Sequence, residues 1–238
     1  MTGARVGAAA LGCGLLAVTF AIAQDIPAHT SVGRPQRGRI AGGGIELPVR
    51  GDGYHFATHR ENPTAHFGTP ALVGAIQRAT AAVAARMPGA DLCVQDLSFE
   101  RGGTIQGHGS HTSGRDADIC YYARREDGTR IDPSEARWFL RTGRARGAPD
   151  ERFDEERNWL LLTTLLADPE IEVQYFFMHR ALQARLLDYG RENDTVERVD
   201  AMEAVLRVPH GRNMDPHADH FHIRIRCPEA DRAFGCVD

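Results

Sequence analysis

Between Gly107 and Tyr122 the chain reads GHGSHTSGRDADICYY, and from His217 to Arg226 it reads HADHFHIRIR. The first stretch sets His108 and His111 ahead of a Ser113-Gly114 turn, and then Asp118 on an apolar run. The second supplies His217, His220 and His222, so that five of the eleven histidines lie in the two stretches. An isolated histidine is ordinarily a surface or hydrogen-bonded core residue. Two separate clusters that each join His to Asp, each on a predicted strand, instead point to a metal centre.

The spacing adds geometry. A strand alternates its faces with period two, so His220, His222, Arg224 and Arg226 share one face while Phe221, Ile223 and Ile225 form the core face. Catalytic zinc sites use three protein ligands and leave a fourth position open. His111, Asp118 and His222 make a His2Asp set of that type, with His220 as the spare imidazole beside the open position.

These residues need a scaffold, and the chain outlines one. Residues 1–23 read as an export signal: Arg5 supplies the positive start, Val6 to Ile22 is almost wholly apolar or small, and Ala21-Ile22-Ala23 fits a small-x-small cleavage site. The apolar run is short for a membrane span, and a lipoprotein reading through Cys13 fits less well. Residues 24–238 suit a single domain. A net charge of -4 and a pI of about 6.3 carry no basic footprint, which argues against a nucleic-acid partner.

Gln24 to Gly53 is rich in Gly, Arg and Pro and predicts turns and extended pieces. Thr69-Pro70 opens a helix that runs to Met87 and stops at Pro88-Gly89. Strands are expected at Leu92 to Phe99 and Ala117 to Ala123. The middle third reads as mostly helical: a helix capped by Asp154 runs to Leu166, and another spans Ala181 to Tyr189 with Gly190 at its end. A capping box from Asp194 to Glu197 opens a further helix to Leu206. Ile171 to Met178, β-branched and aromatic, reads as a buried strand. The fold class is therefore α+β: a small, mainly antiparallel sheet carrying the metal ligands, flanked by helices.

Four cysteines remain beyond the signal. Export favours disulfides, and the short CPEADRAFGC loop favours Cys227 with Cys236, leaving Cys93 and Cys120. Cys120 lies two residues beyond Asp118 on the same strand face, so a metal-ligating thiolate is a rival reading.

The pattern His111-x6-Asp118 with His220-x-His222 resembles the signature shared by lysostaphin-type, D-Ala-D-Ala carboxypeptidase and hedgehog-like zinc peptidases. The flanks narrow it. Arg101-Gly102-Gly103, His108, Ser110-His111, Asp116-Ala117-Asp118, His217-x-x-His220-x-His222 and Arg224-x-Arg226-Cys227 resemble the penicillin-insensitive murein endopeptidases, as do GRIAGGGIELP and Arg157-Asn158-Trp159. The resemblance covers about residues 31 to 236 and implies an exported Zn2+ enzyme that cuts D-alanyl-meso-diaminopimelyl cross-links of peptidoglycan, periplasmic if the host has an outer membrane. It implies His111, Asp118 and His222 as zinc ligands and His220 as catalytic. His217 and His108 match family histidines near the site, His217 on the catalytic side and His108 on the metal side. Further metal residues described in the mid-chain of some members have no matching His/Asp set between Tyr122 and Arg180.

Amide hydrolysis needs a nucleophile, a polarised carbonyl and a proton for the leaving nitrogen; zinc supplies the first two. An imidazole titrates near neutral pH, which suits His220 to the proton transfer. Asp116 is a competing base or a hydrogen-bond acceptor for the turn, and Arg115, Arg212 and Arg224 are candidates to hold substrate carboxylates. The rival functions are a carboxypeptidase that trims terminal D-alanine and an inactive wall-binding module with structural zinc. A metallo-β-lactamase fails on the order of its ligands.

Overall fold

The structure is a computed structural model and describes residues 25–60, 62–132, 134–209 and 217–238. The export signal and Arg212 therefore lie outside the described residues. Among those described, no helix is long and apolar enough to cross a membrane.

The site rests on a seven-stranded sheet, larger than the small sheet expected. Its order is Leu206–Arg207, Val173–Phe177, His220–Ile225, Asp116–Cys120, Leu92–Val94, Tyr54–Phe56 and Arg50–Gly51. The two central strands are antiparallel, and parallel pairing occurs only near the ends, between Val173–Phe177 and Leu206–Arg207 and between Tyr54–Phe56 and Leu92–Val94. The period-two reading holds: Phe221, Ile223 and Ile225 enter the main core with Ala117, Ile119 and Phe176. His222 and Arg224 are buried as well, because other segments cover the opposite face.

The Gly/Arg-rich N-terminal stretch folds as a hairpin, Thr30–Arg34 with Arg37–Ala41. Helix Pro70–Arg86 starts as read, with Thr69 accepting from Leu72 N and Pro70 in the first turn. Between Ala123 and Phe153 a four-stranded sheet of short strands stands where the middle third was expected to be mostly helical. Its turns place Gly128, Gly143 and Gly147 at positive φ, which glycine alone adopts without steric cost.

Helix Glu155–Leu166 is capped by Asp154, whose carboxylate accepts from Arg157 N. The Arg157-Asn158-Trp159 triplet has a structural reason. Asn158 Oδ1 accepts from Tyr122 N and its Nδ2 donates to Tyr122 O, each at 3.0 Å, fixing the chain just beyond strand Asp116–Cys120. The fully buried Arg157 guanidinium donates to Asp154 Oδ2 and to the carbonyl of Ala123. Trp159 lies on Gly190, where an added Cβ would meet its ring at 2.4 Å.

Gly190 accordingly sits inside helix Arg180–Asn193 and does not end it. The next helix, Val196–Val205, takes Thr195 as its N-cap and not Asp194, because Asp194 is engaged by Trp159 Nε1. Cys227 and Cys236 form the expected disulfide, whereas Cys93 and Cys120 are free and buried.

Candidate metal centre

Strand register sets the first pair of donors. His222 lies directly opposite Asp118, on one face of adjacent antiparallel strands where side chains meet. His222 Nδ1 is 3.1 Å from Asp118 Oδ1. His111 comes from the loop before the strand and holds a left-handed backbone at φ 67, a conformation that is costly for a side chain larger than glycine and that clusters at functional sites. Its Nε2 is 3.3 Å from Asp118 Oδ1 and 3.2 Å from His222 Nδ1.

Hydrogen bonds behind these atoms decide what they present. His111 Nδ1 lies 2.7 Å from the carbonyl oxygen of Leu97, which can only accept, so Nδ1 carries the proton and Nε2 presents a lone pair. His222 Nε2 lies 2.7 Å from Asp116 Oδ1 and donates to it, leaving the lone pair on Nδ1. Asp118 Oδ1 is buried and accepts no hydrogen bond. Three electron-rich atoms thus converge on one point with separations of 3.1 to 3.3 Å. A tetrahedral zinc with bonds of about 2.0–2.1 Å requires ligand separations of about 3.3–3.4 Å. The donor set and its spacing fit a zinc ion.

Asp116 is neither base nor bystander. It is fully buried and receives His222 Nε2, Arg224 Nε at 2.7 Å and, more weakly, His111 N at 3.4 Å. Burial alone would raise its pKa; the hydrogen bond from His222 and the charge of Arg224 reverse that and hold it ionised. Such a carboxylate behind a ligating histidine fixes tautomer and ring orientation. Asp118 also stays ionised, burial being outweighed by the neighbouring histidines, with His111 foremost.

His220 stands apart from the triangle. Its Nδ1 donates to Asp219 Oδ1 at 2.8 Å and its Nε2 faces Asp118 Oδ1 from 3.7 Å. Burial pushes its pKa down, but Asp118 and Asp219 lift it to about 8. His217, in ring contact with His220, is driven down to about 3 by burial and then by the His220 charge, and its Nδ1 is buried without a hydrogen-bond partner. His108 bridges two carboxylates, Nδ1 to Asp118 Oδ2 at 3.3 Å and Nε2 to Asp96 Oδ2 at 3.2 Å. His108, His111 and Asp118 also offer donor atoms that all lie within 4.8 Å of one another.

All six residues singled out in the sequence meet here. Two of the arginines do not serve as expected. Arg224 is committed to Asp116, and Arg115 is fully buried, clamping Ser31 Oγ, Val237 O and Asp238. Cys120 faces His220 across the strands, but burial, then the neighbouring Cys93, raises its thiol pKa and disfavours the thiolate a metal requires. Asp219 and Asp96 were missed. Asp219 could have been found between the histidines of its own motif; Asp96 carries no local signal.

Two donors on adjacent antiparallel strands and one from the loop before them, with an oriented fourth side chain beside them, form a cluster that could hold a metal ion. Residues 31–238 match the family model described as penicillin-insensitive murein endopeptidase, and the chain belongs to that family. A Haemophilus influenzae protein named penicillin-insensitive murein endopeptidase is 28% identical over 195 residues, covering 81% of this chain and 62% of the relative. Its namesake in Escherichia coli O157:H7 is 28% identical over 213 residues, covering 87% of this chain and 70% of the relative. The chain thus spans about two thirds of the length of these relatives.

Proposed function

We propose that the protein is a zinc-dependent peptidoglycan endopeptidase that hydrolyses the D-alanyl-meso-diaminopimelyl cross-links of the cell wall. The observation that carries this reading is the convergence of His111 Nε2, Asp118 Oδ1 and His222 Nδ1 on one point, with His220 beside it and outside the triangle. The names of the relatives supply the substrate class.

A bound zinc ion would supply Lewis acidity toward the scissile carbonyl and activate water near neutral pH. The chain's own part is to hold the ligands and move the proton. Asp116 and the Leu97 carbonyl fix the two ligand tautomers. His220 Nε2, with Nδ1–H held by Asp219, keeps a proton at neutral pH and gives it to the leaving nitrogen. His217, in ring contact with His220, stays neutral, and its buried Nδ1 without a hydrogen-bond partner is available to substrate. His108 steadies the second oxygen of Asp118. Action on the wall requires export, consistent with a signal at residues 1–23, a single mature domain over 24–238 and a periplasmic address where an outer membrane exists.

Purified cross-linked muropeptide dimers incubated with the mature protein and zinc should be converted to monomers, and a chelator should stop the conversion; mass spectrometry reads both. Release of single D-alanines would assign a carboxypeptidase instead. No change in the dimers would leave a wall-binding module.

A further inference from the structure

A second charged surface lies on the N-terminal hairpin. Register sets Arg34 opposite Arg37 and Val32 opposite Arg39, so the period-two rule sends three guanidinium side chains off one face. All three are exposed, as is Arg101, whose carbonyl accepts from Ile40 N at 3.0 Å. None of the four makes an ion pair with a described carboxylate, although the chain as a whole carries a net charge of -4. By contrast Arg115, Arg157 and Arg224 are all paired.

The other face of the hairpin is seated on the metal-site loop. Gly38 N donates to Thr112 Oγ1 at 2.6 Å, and a Cβ at Gly38 would meet Ser113 Cβ at 2.8 Å. Thr112 N in turn donates to the carbonyl of Pro35 at 3.1 Å. The arginine face is therefore the outer surface of the element that backs the residues following His111.

We propose that Arg34, Arg37, Arg39 and Arg101 form a docking surface for the peptide carboxylates of intact peptidoglycan, separate from the cleavage site. The inference rests on the wall-directed reading above. Like charges set directly opposite on a hairpin repel, and a ligand bearing several carboxylates relieves that repulsion through bidentate guanidinium contacts. A membrane surface fits less well: interfacial binders add large apolar side chains, and this face offers only the half-buried Val32. An insoluble polymer with repeating carboxylates gains from a second attachment, which raises the effective concentration of cross-links at the metal centre.

The test compares wild type with Arg34→Ser/Arg37→Ser/Arg39→Ser in co-sedimentation with purified, protein-free sacculi, alongside turnover of a soluble cross-linked dimer. Wild type should sediment with the sacculi, less so in high salt and less so after the wall carboxylates are converted to amides. The triple variant should bind roughly tenfold more weakly, three exposed pairs at about twofold to threefold each, with dimer turnover kept within about twofold. Equal sedimentation of the two proteins, no sedimentation of wild type, or binding only to vesicles of anionic phospholipid would overturn the proposal. Sedimentation does not depend on hydrolysis, so failure of the enzymatic reading appears separately, as wild type that leaves the dimer uncut.

Discussion

Asp118→Asn should abolish zinc binding and, with it, about a thousandfold or more of the hydrolytic rate, since a bound zinc would supply the nucleophile and the carbonyl polarisation together. The carboxylate oxygen at the apex of the triangle is buried and accepts no hydrogen bond. Replacing it with a neutral amide removes the one anionic ligand, and an amide nitrogen turned inward would present N–H groups to the two histidine lone pairs. The variant should still fold, because the strand register and the aliphatic core behind it are unchanged. Thermal unfolding with and without zinc separates the effects. At about 100 times its Kd, zinc should stabilise the wild type by about 2.7 kcal/mol, which raises the Tm by about 5–11 °C in a domain of this size. Asp118→Asn should show no zinc-dependent shift.

His220→Ala should do the opposite. Zinc binding should persist while turnover falls by about 10²–10⁴, the range for a lost general acid or base. Its Nε2 is 3.7 Å from Asp118 Oδ1, beyond the 3.1–3.3 Å spacing of the triangle, and its Nδ1 is held by Asp219. Metal content and single-turnover hydrolysis on the same preparation make the comparison. Loss of zinc together with activity would move His220 into the ligand set.

Residue types and local spacing made the cluster of candidate ligands legible. The alternation of His220, His222 and Arg224 against Phe221, Ile223 and Ile225 named the inward face before any partner strand was known. The pairing that brings His222 opposite Asp118 joins strands about a hundred residues apart, and no local pattern encodes it. The orienting groups were hidden for the same reason. Asp116 read as a base or a turn acceptor until Arg224 and His222 were found donating to it.

Arg115 reads as a candidate substrate contact because arginine binds carboxylates bidentately, yet the chain's C-terminal residues close over it. Gly190 looked like a helix stop. Its role is steric room for Trp159, a tertiary demand that overrides the local signal. Capping and strand chemistry fixed most elements, whereas the small sheet between Ala123 and Phe153 was missed because its strands are mostly two to three residues long, too short to show a period.

The assignment of ligands is most directly tested by zinc K-edge X-ray absorption on the zinc-loaded wild-type protein. The spectrum should show a first shell of nitrogen and oxygen only, at about 2.0–2.1 Å, with the multiple-scattering pattern of two imidazoles from His111 and His222. A sulfur shell at about 2.3 Å, bringing in the buried Cys120, or a shell without imidazole scattering would contradict it.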